Sequence, residues 1–392
     1  MNHQQAPSNT MEFSLFYFAA EEDVTRQNKY ELLLEGAKFA DQNGLSAVWV
    51  PERHFHQVGD PYPNPSVAAA AVATITKNIK LRSGSLVLPL HDPIRAAEEW
   101  SMVDNLSNGR AEVSIASGWN PNDFIYAPED YENRHYVMRD KIEIFRNLWQ
   151  GGHCTRTNGK GEDFNVYLHP KPIQKDIPVW LTSVGSPETF RYAGAIGANI
   201  LTNVLAQDVD QMAETIKIYR TARLQHGHDP ATGKVALMMH CFLGESMEYV
   251  QKFAKEPFKN YLRHSIKLTR NIAAETGLDM KRNIDQLVEL AANQFFYTSG
   301  IFGRPEDCIP FIKKVYQMGV DEIACLIDFG IDYKVTIDHL PNLVQLKELV
   351  QKTDLGKPWM PQVSSEDFSE IDEEELDQSA EIFENNLDLF NN

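Results

Sequence analysis

The fold class predicted by this sequence is a closed parallel α/β barrel, (β/α)8 or TIM type, on three observations. Eight short runs rich in apolar, β-branched and aromatic residues recur: Glu12 to Ala19, Ala47 to Pro51, Leu81 to Pro89, Ala111 to Gly118, Pro178 to Ser183, Ala198 to Val204, Val235 to Gly244 and Glu322 to Phe329. Helical patterns lie between most of them, among others Tyr30 to Gln42, Ile94 to Leu106, Arg139 to Trp149, Pro187 to Ile196 and Asp208 to Gln225. Strands alternating with helices of this length build βαβ units and a parallel sheet. Finally, Ala47-Val48-Trp49-Val50 runs into Pro51-Glu52-Arg53-His54-Phe55-His56 and then into an alanine-rich helix. A barrel presents catalytic groups in this way, on a rigid scaffold at strand C-terminal ends. An open doubly wound sheet is the alternative.

At 392 residues the chain could hold two average domains, yet barrels use more than about 250 residues as one unit, so one domain with extensions is expected. Hydrophobic residues at 43% and charged residues at 23% suit a soluble globular enzyme, and no apolar run approaches the ~20 residues of a membrane helix. Residues 1–10 are polar, are expected to be flexible and carry no secretory signal, which makes the cytoplasm the default location. Cys154, Cys241, Cys308 and Cys325 lie far apart; Cys241 and Cys325 fall in expected strands, where a free thiol packs as a small apolar group. The net charge is −18, and eleven Asp and Glu with no Lys or Arg lie between Glu366 and Asp388. Such a surface repels phosphate backbones and argues against nucleic-acid binding.

Roughly 75 residues separate the seventh run from the eighth. They hold helical segments around Met247 to Ala274 and Asp285 to Phe296, and Arg304-Pro305-Glu306 opens another at Asp307 to Met318. An insertion there would cover the barrel mouth as a lid or substrate-selective wall. A shorter one, Gly151 to Lys175, is expected to loop over the same rim. The barrel domain is expected over residues 11–357. Residues 358–392 read as a linker and an acidic tail, in which Leu376, Ala380, Phe383, Leu387 and Phe390 form one apolar helical stripe. That stripe either packs on the barrel or a second copy, or docks a partner.

The strand ends carry blocks in a definite order. The second strand ends in Glu52-Arg53-His54-Phe55, followed by Asn64-Pro65; the third ends in Leu88-Pro89, with His91 to Pro93 turning into a helix. The fourth yields Ser117-Gly118-Trp119-Asn120-Pro121, and Gly303-Arg304-Pro305-Glu306-Asp307-Cys308 precedes the last helix and strand. Each block is weak alone. The ordered set, spanning about Met11 to Lys352, resembles the bacterial luciferase family of flavin-dependent monooxygenases. The overall texture is most similar to the synthase-associated subgroup of natural-product biosynthesis. The resemblance implies a homodimeric, two-component enzyme. Reduced FMN from a separate reductase would meet O2, form a flavin 4a-hydroperoxide and oxygenate an organic substrate, free or carrier-protein-bound, by hydroxylation or Baeyer-Villiger-type insertion.

A flavin needs a phosphate anchor. Thr182-Ser183-Val184-Gly185-Ser186-Pro187-Glu188-Thr189 puts Ser186 at a helix N-cap, Pro187 at the first helical position and Gly185 where backbone approaches a ligand. Free N–H groups at such a terminus attract phosphate, although an ordinary capped helix has the same pattern. The resemblance implies that Ser186 and Thr189, beside Ser183 and Gly185, hold the FMN phosphate, and that Trp119 and Asn120 belong to a flavin-side loop. Ser117 stands where luciferases have a basic phosphate-binding residue and Gly185 where they have an acidic one, so Arg134 is expected to supply the cation. Gly84-Ser85 occupies the place where relatives carry a non-proline cis peptide beneath the flavin ring; a β-bulge or close packing is the alternative.

Catalysis is expected from Glu52, Arg53 and His54. In luciferases the position of Arg53 is a histidine that assists peroxide chemistry, but a guanidinium cannot serve as a general base. It can stabilise an anion, whether a peroxide, a substrate carboxylate or a pantetheine phosphate, or simply pair with Glu52. His54, whose unperturbed pKa lies near neutrality, is the acid/base candidate. A barrel metallohydrolase built on His54 and His56 would be short of ligands, because the fifth and sixth strands end in Thr182-Ser183 and Thr202-Asn203, and no metal is expected. Deazaflavin F420 would keep the fold and change the chemistry to hydride transfer. A non-enzymatic support subunit would not need Arg53, His54, Trp119 and Asn120 together.

Overall fold

The apolar runs form strands because both of their faces are buried. They are β1 (Glu12–Phe16), β2 (Ala47–Val50), β3 (Lys80–Ser83), β4 (Ala111–Ala116), β5 (Val179–Thr182), β6 (Asn199–Asn203), β7 (Val235–Leu243) and β8 (Glu322–Leu326), numbering the barrel strands alone. One set of side chains, including Phe16, Trp49, Trp180, Met238 and Leu326, fills the interior. The alternate set, including Leu15, Val48, Leu181, Leu237 and Ile323, packs under the helices. The computed structural model describes residues 11–18, 29–55, 61–204, 209–264 and 280–362.

Every strand pairs in parallel with the next, and β8 pairs back with β1 in the register Phe16↔Leu326, so the sheet closes and the open-sheet alternative falls. The ring of helices comprises α1 (Glu31–Gln42), α2 (Pro65–Ala73), α3 (Pro93–Ser107), α4 (Arg134–Trp149), α5 (Pro187–Ala195) and α6 (Val209–Gln225). After the insertion helices α7 (Met247–His264) and α8 (Met280–Gln294), α9 (Pro305–Gln317) and α10 (Tyr333–Gln351) complete it. Several helices start on side-chain caps. Asn64 accepts from the backbone N of Ser66 and Val67 at 2.9 and 3.1 Å, Asp92 from Ile94 at 2.8 Å and Asp332 from Val335 at 3.0 Å. Pro65, Pro93, Pro187 and Pro305 each occupy a first-turn position.

The departures from expectation have local causes. The third run breaks at a cis Gly84–Ser85 peptide, resumes as Leu86–Val87 against β4 and ends in a 3-10 turn at Leu88–Leu90. Helix α4 begins at Arg134 rather than Arg139, its first turn bearing the exposed His135 and Tyr136, which hide the apolar stripe from a periodicity reading. The Gly151 to Lys175 segment is an antiparallel hairpin, His153–Thr157 with Asp163–Tyr167. Its far flank is fastened to the C-terminal half of α3, where Asp104 accepts from the backbone N of Ile173 and Gln174 at 2.7 and 2.9 Å. That flank lies at the end of the barrel away from the strand C-termini, while Arg156 of the hairpin reaches the rim beside His91.

The insertion does build a wall on the β7–β8 side of the mouth. Phe258 and Tyr261 of α7, Phe295 and Phe296 after α8, and Phe302 and Phe329 beside β7 and β8 form a second core. The expected N-terminal segment 1–10 and the acidic stripe of the tail lie outside the described residues, as does His56. Among the described residues no helix is long and apolar enough to cross a membrane.

Candidate active site

Beyond β2 the chain passes Pro51 in extended form, and Arg53 N donates to Tyr62 O at 2.9 Å, which fixes the rim segment. The Glu52 side chain is completely enclosed. Its Oε1 accepts from His54 Nε2 at 2.8 Å and from His91 Nε2 at 2.6 Å, while Oε2 accepts from Val87 N at 2.7 Å. Burial pushes the carboxyl up, but the bonds from His54 and His91, the charge of His91 and the Val87 N–H together hold it below the ordinary range. For His91, burial pulls down, the bond to and charge of Glu52 and the charge of Glu99 push up, Lys141 opposes them, and the result is raised. His54 is buried, with its ring edge-on to Tyr126 at 5.0 Å. With Nε2 donating to Glu52, its Nδ1 is the atom left for a reacting group.

Arg53 does not pair with Glu52, whose oxygens are taken by the two histidines and Val87. Its Cζ lies 4.5 Å from the Phe18 ring centroid and 5.2 Å from that of Trp119. Its Nε is buried without a hydrogen-bond partner.

The cofactor-side residues form three groups at the same end of the barrel. Gly84–Ser85 is a non-proline cis peptide, and a Cβ on Gly84 would stand 2.8 Å from Phe16 Cε2, so only glycine fits. Ser85 Oγ meets Thr182 Oγ1, which Ser114 Oγ also reaches at 2.8 Å. In the β4 loop Ser117 is partly buried, Gly118 adopts φ +84°, Trp119 is 59% exposed and Asn120 Nδ2 donates to Asp123 Oδ1 at 2.8 Å.

At α5, Ser186 caps the helix by accepting from Thr189 N at 3.3 Å and from Thr189 Oγ1 at 3.2 Å. Ser183 Oγ accepts from Ser186 N at 3.3 Å, and Gly185 sits at φ +83° as the turn requires. Hydroxyls, a helix N-terminus and a glycine turn make a donor set that fits the phosphate end of a flavin mononucleotide.

Arg134, the expected cation, has no carboxylate partner among the described residues and spends two of its donors on backbone carbonyls. Its Nε donates to Gly118 O at 3.2 Å and its Nη1 to Tyr131 O at 3.0 Å, bracing the β4 loop. Arg139 is the guanidinium fixed at that terminus, paired with Glu188 in the first turn of α5. Sequence reasoning also missed His91, read only as a turn, and Thr182 and Ser114 beneath Ser85. The signal for His91 was its place directly before the Asp92-Pro93 helix start, at the third strand's end. On the His91 side a groove of about 440 Å3 is lined by Pro89, His91, Tyr126, Asp130, Lys141 and Arg156, among others.

Comparison with known proteins bears on the same stretch. A family model described as luciferase-like monooxygenase matches residues 11–322. The oxygenase component of a flavin-dependent trigonelline monooxygenase from Acinetobacter baylyi is 27% identical over 350 residues, covering 85% of this chain and 94% of that protein. An alkanal monooxygenase alpha chain from Photorhabdus luminescens is 24% identical, covering 80% and 88%. Among solved structures, the oxygenating constituent of 3,6-diketocamphane monooxygenase from Pseudomonas putida, in complex with FMN, superposes with TM-score 0.68 at 20% identity over 90% of this chain and 100% of that one. An F420-dependent secondary alcohol dehydrogenase gives TM-score 0.64 at 16% identity over 86% and 99%. At these identities the structural likeness concerns the barrel, while the family match covers most of the chain: this protein belongs to the luciferase-like monooxygenase family.

Proposed function

We propose that the chain is the oxygenase component of a two-component, FMN-dependent monooxygenase, working with a separate flavin reductase. The observation that carries this reading is the convergence, at one end of the barrel, of a phosphate-type anchor at α5, the close-packed Gly84 with Ser85 on Thr182, and the buried His54–Glu52 pair. The printed description of the Acinetobacter relative as an oxygenase component supports the division of labour. When bound, reduced FMN supplies the electrons that let O2 be divided between an organic substrate and water.

The chain's own groups do the rest. Ser183, Ser186, Thr189 and the α5 N–H groups bind the phosphate, and Arg139, paired with Glu188, is fixed at the same terminus. Glu52 orients His54 so that Nδ1 holds or passes a proton at the reacting group. The aromatic wall of α7 and α8 limits water on the β7–β8 side.

A homodimer belongs to the same proposal and is supported by the exposed apolar residues Val67, Ile75, Met102 and Leu106 on and beside α2 and α3. A cytoplasmic location is supported by the buried free thiols Cys241, Cys308 and Cys325. Docking of residues 363–392 on a carrier protein or synthase module in specialised metabolism rests on the acidic sequence alone.

The deciding experiment concerns the anchor. Replacing Ser186 and Thr189 together by Ala is expected to weaken FMN binding by about 1–3 kcal/mol while riboflavin binding changes little. Equal losses for the two ligands would remove the phosphate assignment. Tight binding of F420 in place of FMN would transfer the site to hydride chemistry.

A further inference from the structure

Among the described residues Arg53 has no ion-pair partner, the nearest negative charge being that of Asp123. Glu52, its neighbour, is committed to His54, His91 and Val87, and Asp123 holds Asn120. Among the described residues no carboxylate is bonded to the guanidinium, and its Nε is shut off from solvent without an acceptor. Phe18 and Trp119 cover two of its sides and offer no acceptor either. Burial lowers its proton affinity, yet a guanidinium stays protonated at any working pH. A buried unpaired cation is costly, and a ligand that brings an anion offsets that cost.

The surroundings distinguish substrate from cofactor as the source of the anion. The phosphate anchor lies at α5, after β5, and has Arg139 beside it. Arg53 instead follows β2 and is framed by Phe18 after β1, by the β4 loop, and by Tyr261 of the insertion helix α7. Around it the rim exposes large rings: Phe55 at 62%, Trp119 at 59% and Tyr126 at 59%, with Phe55 and Tyr126 5.6 Å apart. Exposed aromatic surface beside an unpaired guanidinium suits a flat, unsaturated body bearing a planar two-oxygen anion.

Resting on the monooxygenase reading above, we propose that the substrate is a planar carboxylic acid whose carboxylate pairs with Arg53 while its ring or unsaturated body lies against the rim aromatics. Arg53 is then the specificity-determining residue, and the corresponding amide or ester is a poor ligand because it cannot supply the charge. A site built to pair a charged group discriminates strongly against the analogue that lacks it.

The test uses the full chain with FMN and two matched probe pairs, benzoate with benzamide and nicotinate with nicotinamide, titrated by calorimetry and by Trp fluorescence. Wild type is expected to bind at least one acid 10-fold or more tighter than its amide. Arg53→Met should abolish that preference, Arg53→Lys should keep part of it, and FMN affinity should be unchanged in both. Equal binding of acid and amide, no binding of either acid, or a loss confined to FMN in Arg53→Met would overturn the proposal. If Arg53→Met does not fold, the acid preference of wild type and its reduction in Arg53→Lys decide. Retained acid preference in a protein that binds no FMN would instead overturn the flavin reading and leave this one standing.

Discussion

His54 and His91 donate to the same carboxylate oxygen, Oε1 of Glu52, at 2.8 and 2.6 Å. Two N–H groups on one oxygen share its charge, and His91, with its raised pKa, takes the larger electrostatic part as the cationic partner. Glu99 supports that charge and Lys141 opposes it, while His91 also borders the groove holding Asp130 and Arg156. His54 and His91 are thus joined through one carboxylate oxygen.

The first expected outcome concerns this coupling. With His91 replaced by Gln, Glu52 keeps a hydrogen-bond donor but loses a positive neighbour, so its full charge acts on His54. Any inflection that His91 contributes to the pH–rate profile should then disappear. His54→Ala should lower turnover by ~100-fold or more. An unchanged profile in His91→Gln would show that the two rings do not communicate.

Stability gives an independent check. His91 has a folded-state pKa above its ordinary value, so its pair with Glu52 contributes fully below the unfolded pKa of about 6.5 and is lost as pH rises through the folded one. The difference in unfolding free energy between wild type and His91→Gln should therefore shrink from pH 6 to pH 9, as measured by urea denaturation. A constant difference would mean that His91 contributes by packing alone.

The barrel was legible because runs buried on both faces are mostly apolar, as in Val235–Leu243, where every residue is buried and only His240 is polar. The helix starts at Asn64-Pro65 and Ser186-Pro187 were equally plain, since a capping side chain and a first-turn proline are local signals. What the sequence withheld depends on long-range neighbours. Nothing local tells that Arg134 turns onto Gly118 O while Arg139 pairs with Glu188 of α5, or that His91 joins Glu52 from another strand end.

The charged cluster inside the barrel was hidden for the same reason. Arg82 donates to Glu112 at 2.6 Å and to Glu322 at 2.8 Å, with Trp49 and Trp180 rings 4.6 and 4.4 Å from its Cζ. Arg82, Glu112 and Glu322 come from three different strands, so no local pattern in the sequence joins them.

Removing Arg82 would strand two buried carboxylates. Arg82→Met is expected to destabilise the barrel by about 3–5 kcal/mol, because the loss leaves uncompensated charge in the interior, whereas removing an exposed pair such as Lys334–Asp338 should cost far less. Thermal unfolding midpoints of Arg82→Met and Lys334→Met compare the two directly. Similar losses would contradict the buried-pair account.

The dimer proposal is tested on α3. Met102 and Leu106 are 54% and 51% exposed, and a charge at either should oppose burial against a second copy while leaving the monomer fold unaffected. Met102→Glu with Leu106→Lys is expected to halve the mass seen by light scattering, without change in the unfolding midpoint of the separated chains. A wild type that is already monomeric removes the proposal.

His240 offers a prediction outside the catalytic residues. It lies on β7 at 1% exposure among Phe258, Tyr261 and Phe329, with ring centroids 4.8, 4.6 and 5.3 Å away. Its Nε2 has no hydrogen-bond partner, and burial pulls its pKa down to about 3, so the ring stays neutral where an exposed histidine would take up a proton. Between about pH 6.5 and pH 3 the unfolded chain binds a proton at this site that the folded chain does not. Stability should accordingly fall as pH drops through that window, by at most about 1.4 kcal/mol per pH unit from this residue. His240→Leu removes both the titration and the orphaned nitrogen. At pH 8 the variant should lie within about 1.5 kcal/mol of wild type, as volume-conserving core exchanges do, and at pH 5 it should be the more stable protein. Denaturation curves at the two pH values decide: a parallel loss of stability in variant and wild type on acidification would place the acid sensitivity elsewhere in the barrel.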